Sequence, residues 1–330
     1  MAAVKQEIIV GCDDGYAATD VVVLENGTIR RLKIPSRARS GIHGTSVIGG
    51  ADGEAVPCYK TEGMQYTVGD LPDAETADFA NYPVSAMNRV IIHHALRLAG
   101  LGGKNVRIAT GLPLSTYYRG AVANDEFIQQ KRQSLLSVPV EPMDASDTAK
   151  IVAHEVFPEG LAAWVDYAVD DKGQIRVDLE ETVGVIDIGG RTTDIAVVLP
   201  GRRIDHARLG SVEIGALNLI DEVRVSLLQK HGFELPHGSI EKAISTGTIK
   251  VYGKALDVRS TVGPIMESVT KSILVAVDKI LGKGMDIDKV LVVGGGAHIF
   301  KGVVKHFPNA VIPDEPEFAN ARGFAKFLSL

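Results

Sequence analysis

A chain of 330 residues with 45% hydrophobic and 23% charged residues is an ordinary globular composition, long enough for about two domains. The net charge of −6 gives the whole chain no electrostatic footprint for direct nucleic-acid binding, and no apolar run approaches the 18 or so residues of a membrane span. Cys12 and Cys58, the only cysteines, have neither zinc spacing nor a disulfide framework, and the N-terminal Met-Ala-Ala-Val-Lys-Gln-Glu lacks a signal-peptide core, so a cytoplasmic, reducing setting is expected.

In chain order, Ile8–Val23 reads as a β-hairpin with an Asp-Gly turn, followed by a third strand at Thr28–Ile34. The basic residues Arg30, Arg31, Lys33, Arg37 and Arg39 there read as a solvated edge. A Gly-rich stretch, about 36–78, holds short alternating runs at Ala55–Lys60 and Met64–Gly69 and reads as a small β insertion. Val84–Ala99 has helical spacing and stops at Gly100. Val106–Ala109 is a buried strand, 122–134 an exposed Gln-rich helix, and strands are expected near 135–142 and 149–154. Pro158-Glu159-Gly160 opens an apolar helix at Leu161–Ala168. The second half repeats the plan: a hairpin at Thr182–Val197, a third strand at Arg203–Arg208, helices near Glu213–His231, Ser239–Ser245 and Val262–Leu281, a strand at Val290–Val293, and a helix at Ala297–His306. Two βββαβαβα units with mixed sheets covered by helices fit this pattern, with domain I at 1–178, domain II at 179–316, and a C-terminal helix at about 317–330 packing back on domain I.

The repeat is the most informative feature. Asp13, Gly15 and Thr19-Asp20 recur as Asp187, Gly189 and Thr193-Asp194, all 174 positions on, and each copy closes with a turn glycine, Gly27 or Gly201. A tip carrying Asp-x-Gly can offer backbone N–H groups to phosphate oxygens, because glycine allows close approach. The Asp would repel phosphate, so its sensible role is to hold Mg²⁺, through water. One copy alone reads as an ordinary hairpin with an Asp-Gly turn. Two copies at constant offset point to a Mg-nucleotide clamp in which Gly15, Tyr16 and Ala17 form the first tip and Gly189, Gly190, Arg191, Thr192 and Thr193 the second. Asp187, ending an apolar strand, is costly to bury without a cation or several donors, which makes it the leading metal-organising residue. Gly294-Gly295-Gly296 after an apolar strand lets the backbone lie flat against a base or ribose. Glu159 has two readings: an acidic residue favoured at a helix start, or the group that polarises the water attacking the γ-phosphate.

These residues, Asp13-x-Gly15, Pro158-Glu159, Asp187-x-Gly189-Gly190-x-Thr192-Thr193-Asp194 and Val292-Val293-Gly294-Gly295-Gly296-Ala297, resemble the actin, heat-shock-70 and sugar-kinase superfamily. Within it the chain is most similar to ParM/StbA, the bacterial actin-like plasmid-segregation ATPases, which carry stretches like His93-His94-Ala95-Leu96 and Gly111-Leu112-Pro113-Leu114-Ser115-x-Tyr117-Tyr118. The resemblance implies an α/β, duplicated actin-like (ribonuclease H-like) two-domain fold with an interdomain nucleotide cleft. It implies Glu159 as the catalytic glutamate, Asp13 and Asp187 as the metal aspartates, and Gly294–Ala297 as the adenosine motif. It also implies hinge segments near Asp178–Glu181 and at Ala321-Arg322-Gly323. Lys242 is a candidate ribose or base contact. Many relatives carry a phosphate-reaching Lys where this chain has Asp20, which leaves the first tip short of a cation.

The function expected is an ATP (or GTP) hydrolase with Mg²⁺, polymerising head to tail and driving plasmid or mobile-element DNA segregation. An acidic chain then needs a separate, basic DNA-binding adaptor of ParR type. The alternatives are a small-molecule kinase, for which the chain is short and lacks an Asp-based substrate motif, and a non-polymerising ATPase, for which no substrate-binding domain follows Leu330.

Overall fold

The computed structural model describes residues 8–25, 28–44, 57–69, 71, 74–144, 146–232 and 234–330. Gly27 and, of the run Ala55–Lys60, Ala55 and Val56 lie outside them. The chain forms two compact units, one of Met1–Asp178 with Phe318–Leu330, the other of Leu179–Glu317.

The sheet of the first unit runs, edge to edge, Thr28–Pro35, Ala18–Glu25, Ile8–Asp14, Asn105–Leu112 and Lys150–Pro158. The first three strands are antiparallel and the last two parallel to Ile8–Asp14 and to each other. One face is covered by the helix Ala86–Leu98, started by Ser85, whose hydroxyl accepts from Asn88 N–H, and stopped by Gly100 at φ 74°. Every residue from Met87 to Leu96 is buried, and Met87, Val90, Ile91, Ile92, Ala95 and Leu96 share one core with Val10, Cys12, Val21 and Val23. The other face takes the C-terminal helix Ala319–Ser329, with Ala321 and Ala325 on Val22 and Phe324 on Ala109 and Ala162. A second five-stranded sheet combines Arg37–Ser40, Cys58–Thr61, Met64–Val68 and Glu75–Thr76 with the distant Glu141–Pro142.

The second unit repeats this order as Arg203–Val212, Thr193–Leu199, Val183–Ile188, Lys289–Val293 and Ala310–Val311. Helices Ala216–His231, His237–Thr246 and Arg259–Leu281 follow the hairpin, and the hairpin Thr248–Val251/Lys254–Asp257, not anticipated from the sequence, stands between the last two. The duplication holds in the ladders themselves. Asp13 pairs with Asp20 and Asp14 with Thr19, as Asp187 pairs with Asp194 and Ile188 with Thr193.

Four expectations are corrected. The helix 122–134 is Asp125–Ser137 and is not merely exposed, since it buries Ile128, Lys131, Ser134 and Leu135. It consumes the start of the strand expected at 135–142, which shrinks to Glu141–Pro142. The helix after the triple glycine begins only at Lys301, because Gly294 at φ 83° sends the chain into turns first. Ala321-Arg322-Gly323, expected at a hinge, lies inside the C-terminal helix, and the break between units falls before Phe318.

Candidate functional site

In the first unit, Ile8–Asp14 ends at the turn through Gly15, Tyr16 and Ala17. Ser36 braces this turn: its hydroxyl donates to Gly15 O at 2.6 Å and lies 2.9 Å from the Thr19 hydroxyl, while its N–H donates to Ala17 O at 3.1 Å. A Cβ on Gly15 would stand 3.0 Å from Ala18 O, so the tip suits a residue without one. The Tyr16 ring turns inward, 5.6 Å from that of Tyr82, and supports the turn from the core side.

Asp13 is half-buried and opposes Asp20 directly across the ladder, an unfavourable pairing by itself. Lys33, opposite Asp20 on the next strand, places its ammonium 3.6 Å from Asp20 Oδ1. Its charge offsets that of Asp20.

Glu159 lies on the turn between the strand ending at Pro158 and the helix Leu161–Ala168, and is not itself helical. Pro158 closes a strand here; it does not open the helix. Glu159 N–H donates to Leu112 O at 2.9 Å, and Gly160 takes φ 72°. The Glu159 side chain occupies the space over Gly111, where a Cβ would meet Glu159 Cγ and Oε1 at 2.7 Å. The bare backbone of Gly111 thus sets where that carboxylate stands.

In the second unit, Asp187 is buried at the end of Val183–Ile188. Gly294 faces it so closely that a Cβ would lie 2.3 Å from Asp187 Oδ1, and Gly296 meets Ile188 in the same way at 2.4 Å. Gly295, with nothing within 4 Å of its Cβ position, is the open member of the three. The tip Gly189-Gly190-Arg191-Thr192 is sewn to the next helix. Gly189 O and Gly190 O accept from Ala216 N–H at 3.0 Å and Leu217 N–H at 2.8 Å, satisfying donors that a helix start leaves over. Arg191 lies 3.7 Å from Glu213.

The two threonines are less available than their sequence suggests. Thr192 donates to Asp194 Oδ2 at 3.1 Å, and fully buried Thr193 donates to Ile214 O at 2.7 Å. Thr193 and Ala297 are thus both fully buried. Lys242 sits exposed on the helix His237–Thr246.

Among the described residues no three His, Cys, Asp or Glu side chains gather as a ready-made metal cage. Mg²⁺ is commonly held by one or two carboxylates plus waters and substrate phosphates. The glycine cradles around Asp187 and beside Asp13 fit such a group. The residues missed from sequence carry no motif of their own: Ser36 holds the tip, Asn320 reaches Asp13 and the Glu159–Gly160 turn, and Asn88 and Lys131 reach Asp14, Lys131 also Gly111 O.

The N-terminal part of the chain, residues 8–170, matches the family model of plasmid segregation protein ParM, N-terminal. Residues 185–306 match that of the archaeal actin homologue MreB-like, C-terminal. Among solved structures, the archaeal actin homologue Ta0583 aligns over 98% of this chain and 99% of its own with 21% identity and a TM-score of 0.78. Its complex with ADP aligns over 97% and 99% with 20% identity and a TM-score of 0.76. The 15-stranded ParM filament of Clostridium botulinum aligns over 97% of this chain and 98% of its own with 20% identity and a TM-score of 0.76. No curated protein matches by sequence. The repeated sheet order and these likenesses define an actin-like two-domain protein of mixed α/β class. Within that class, the first part of the chain is similar to the plasmid segregation protein ParM and the second to the archaeal MreB-like actin homologue.

Proposed function

We propose that this protein is an ATP (or GTP) hydrolase of the actin-like superfamily that assembles head to tail into filaments and segregates plasmid or mobile-element DNA. The observation that carries the reading is the ladder register, which gives both hairpins the same Asp-x-Gly tip, with Asp13 and Asp187 at equivalent strand ends. The ADP complex of one structural neighbour and the filament of another support it.

Asp13 and Asp187 would hold Mg²⁺, which supplies charge neutralisation to the phosphates. Gly15, Tyr16 and Ala17 of the first unit and Gly189, Gly190, Arg191 and Thr192 of the second present turn backbone to phosphate oxygens. The turn Gly294-Gly295-Gly296 presents its open member, Gly295, to the nucleoside, with Lys242 as a ribose or base contact. Glu159 accepts a hydrogen bond from the attacking water and fixes its direction, the positioning role that phosphoryl transfer asks of a protein group. Heterologous contacts that do not close generate filaments. With a net charge of −6, DNA attachment falls to a basic adaptor of ParR type. No described helix is long and apolar enough to cross a membrane, and the setting proposed is cytoplasmic.

Sedimentation and light scattering with Mg-ATP and with a non-hydrolysable analogue test this, alongside a screen for phosphate transfer to sugars. Triphosphate-dependent pelleting above a critical concentration, with ATPase per protomer rising steeply with protein concentration, is expected. A concentration-independent rate with nothing sedimenting would favour a kinase or a monomeric ATPase.

A further inference from the structure

Asn320, near the start of the C-terminal helix, touches two parts of the candidate site at once. Its Oδ1 accepts from Gly160 N–H at 3.0 Å, and its Nδ2 donates to Asp13 Oδ2 at 3.2 Å. A backbone N–H can only donate and an ionised carboxylate can only accept, so one amide orientation serves both contacts and the flipped one serves neither. The residue is 4% exposed, so water competes poorly for either partner. Gly160, on the far side of this bridge, is the turn residue that follows Glu159 and whose φ of 72° directs the chain into the helix Leu161–Ala168.

The surroundings leave the bridge little slack. A Cβ on Gly11 would lie 1.9 Å from Ala321 O, and one on Gly323 would lie 1.8 Å from Ala162 O. The C-terminal helix therefore rests backbone to backbone on the strand that carries Asp13 and on the helix that follows Glu159. Its anchorage does not depend on Asn320. Arg322 and Lys326 both reach buried Asp166, at 2.7 and 2.8 Å, and Lys326 also donates to Val169 O at 2.8 Å.

We propose that Asn320 is a positioning residue that holds Asp13 and the Glu159–Gly160 turn in one fixed relation. The carboxylate assigned to the metal and the carboxylate assigned to the water then act from a single rigid frame. This rests on the roles given to Asp13 and Glu159 above. Removing the amide frees both ends together: Asp13 loses a donor that orients it, and the Glu159 turn loses its tie to the sheet. Displacements near 1 Å at such groups cost on the order of 100-fold in rate.

The experiment compares the parent protein with Asn320→Ala and Asn320→Asp. It measures kcat, the Mg²⁺ concentration for half-maximal turnover, Tm, and affinity for a fluorescent ATP analogue with and without Mg²⁺. Asn320→Ala is expected to lower kcat about 10- to 100-fold and to weaken analogue binding several-fold only when Mg²⁺ is present, with Tm close to the parent. Asn320→Asp keeps an acceptor for Gly160 N–H but replaces the donor to Asp13 by a like charge, so it is expected to shift the Mg²⁺ requirement. Parent-like kcat and Mg²⁺ dependence in both variants would overturn the inference while leaving the proposed function intact. Equal weakening with and without Mg²⁺, accompanied by a lowered Tm, would also overturn it, because it marks Asn320 as a helix anchor only. A parent protein that neither binds nor hydrolyses nucleotide would remove the proposed function and the inference with it.

Discussion

Lys131 Nζ lies 2.8 Å from Asp14 Oδ2, in a pair whose side chains are 2% and 1% exposed. The same ammonium donates to Gly111 O, and Asn88 Nδ2 donates to Asp14 Oδ2 at 2.6 Å. The residue following Asp13 is thus pinned by the helix Asp125–Ser137 on one side and Ala86–Leu98 on the other, and Gly111, which seats Glu159, is tied to the same ammonium. A buried ion pair contributes little net stability when intact, but losing one member strands the other charge.

Lys131→Met should therefore destabilise the protein by about 3–5 kcal/mol, with Asp14 left buried and lacking its cation. The double variant Lys131→Met/Asp14→Asn should recover much of that loss. Urea unfolding monitored by circular dichroism reads both. A single variant within about 1 kcal/mol of the parent would show that Asp14 is solvated some other way.

The hairpins and their equivalence were legible because each rests on local pattern: apolar runs of strand length, glycines at turns, and Asp at a constant offset. Lys131 was hidden for a physical reason. A lysine in a polar, Gln-rich segment carries no sequence mark of burial, and its partner Asp14 lies 117 positions away. Asn320 is further still, 307 positions from Asp13. The bond from the Thr193 hydroxyl to Ile214 O was likewise hidden, since a hydroxyl beside glycines carries no mark of a partner 21 positions on. The late start of the helix at Lys301 was lost to the left-handed Gly294, whose conformation only its crowding against Asp187 explains.

Gly294→Ala should damage fold and site together. Its φ of 83° disfavours any side chain, and the new methyl would meet Asp187 Oδ1 and Ile188 O at 2.3 and 2.5 Å. Strain of this kind costs about 1–3 kcal/mol before the clash is relieved. Gly295→Ala is the control, with nothing within 4 Å of its Cβ position. It should leave Tm nearly unchanged and weaken nucleotide binding only. Equal Tm for the two variants would contradict the crowding at Gly294.

Asp187→Ala should abolish Mg-nucleotide hydrolysis while the protein stays folded, because trimming a buried carboxylate relieves desolvation even as it removes the metal's support. The expected loss is about 10³-fold or more in turnover, several kcal/mol of barrier. Phosphate release under saturating Mg-ATP measures it. Near-normal turnover would remove Asp187 from the site.

The first unit should lose stability on mild acidification. Burial holds the His154 imidazole down at about 3, with Lys131 adding to the effect, and holds His93 and His94 at about 4, with Arg89 and Arg97 contributing. These groups are neutral in the folded protein but take up protons near pH 6.5 when unfolded, so the unfolded state binds more protons between those limits and stability falls as pH falls. From pH 7.5 to 5.5 each histidine withdraws about 1.4 kcal/mol. His154→Gln should reduce the pH dependence by one such share, and urea midpoints at the two pH values report it. An unchanged dependence in the variant would mean that His154 is protonated in the folded protein.

Glu159→Ala should separate binding from hydrolysis. The side chain stands over Gly111 at the start of a helix that Gly160, not Glu159, sets up, so its loss leaves the fold and the phosphate-facing turns in place. Nucleotide affinity should stay within a few-fold of the parent, while turnover falls by about 10²–10⁴, the range of a lost water-orienting or proton-accepting group. Glu159→Gln, equal in size and uncharged, should fall on the same side if the carboxylate's charge draws the water's proton. In a polymer whose disassembly waits on hydrolysis, both variants should form filaments with ATP that persist where the parent's turn over, so light scattering should rise as for the parent and then fail to decay. Matching losses of binding, hydrolysis and Tm in Glu159→Ala would assign the residue to the turn's structure and leave the water without its orienting group.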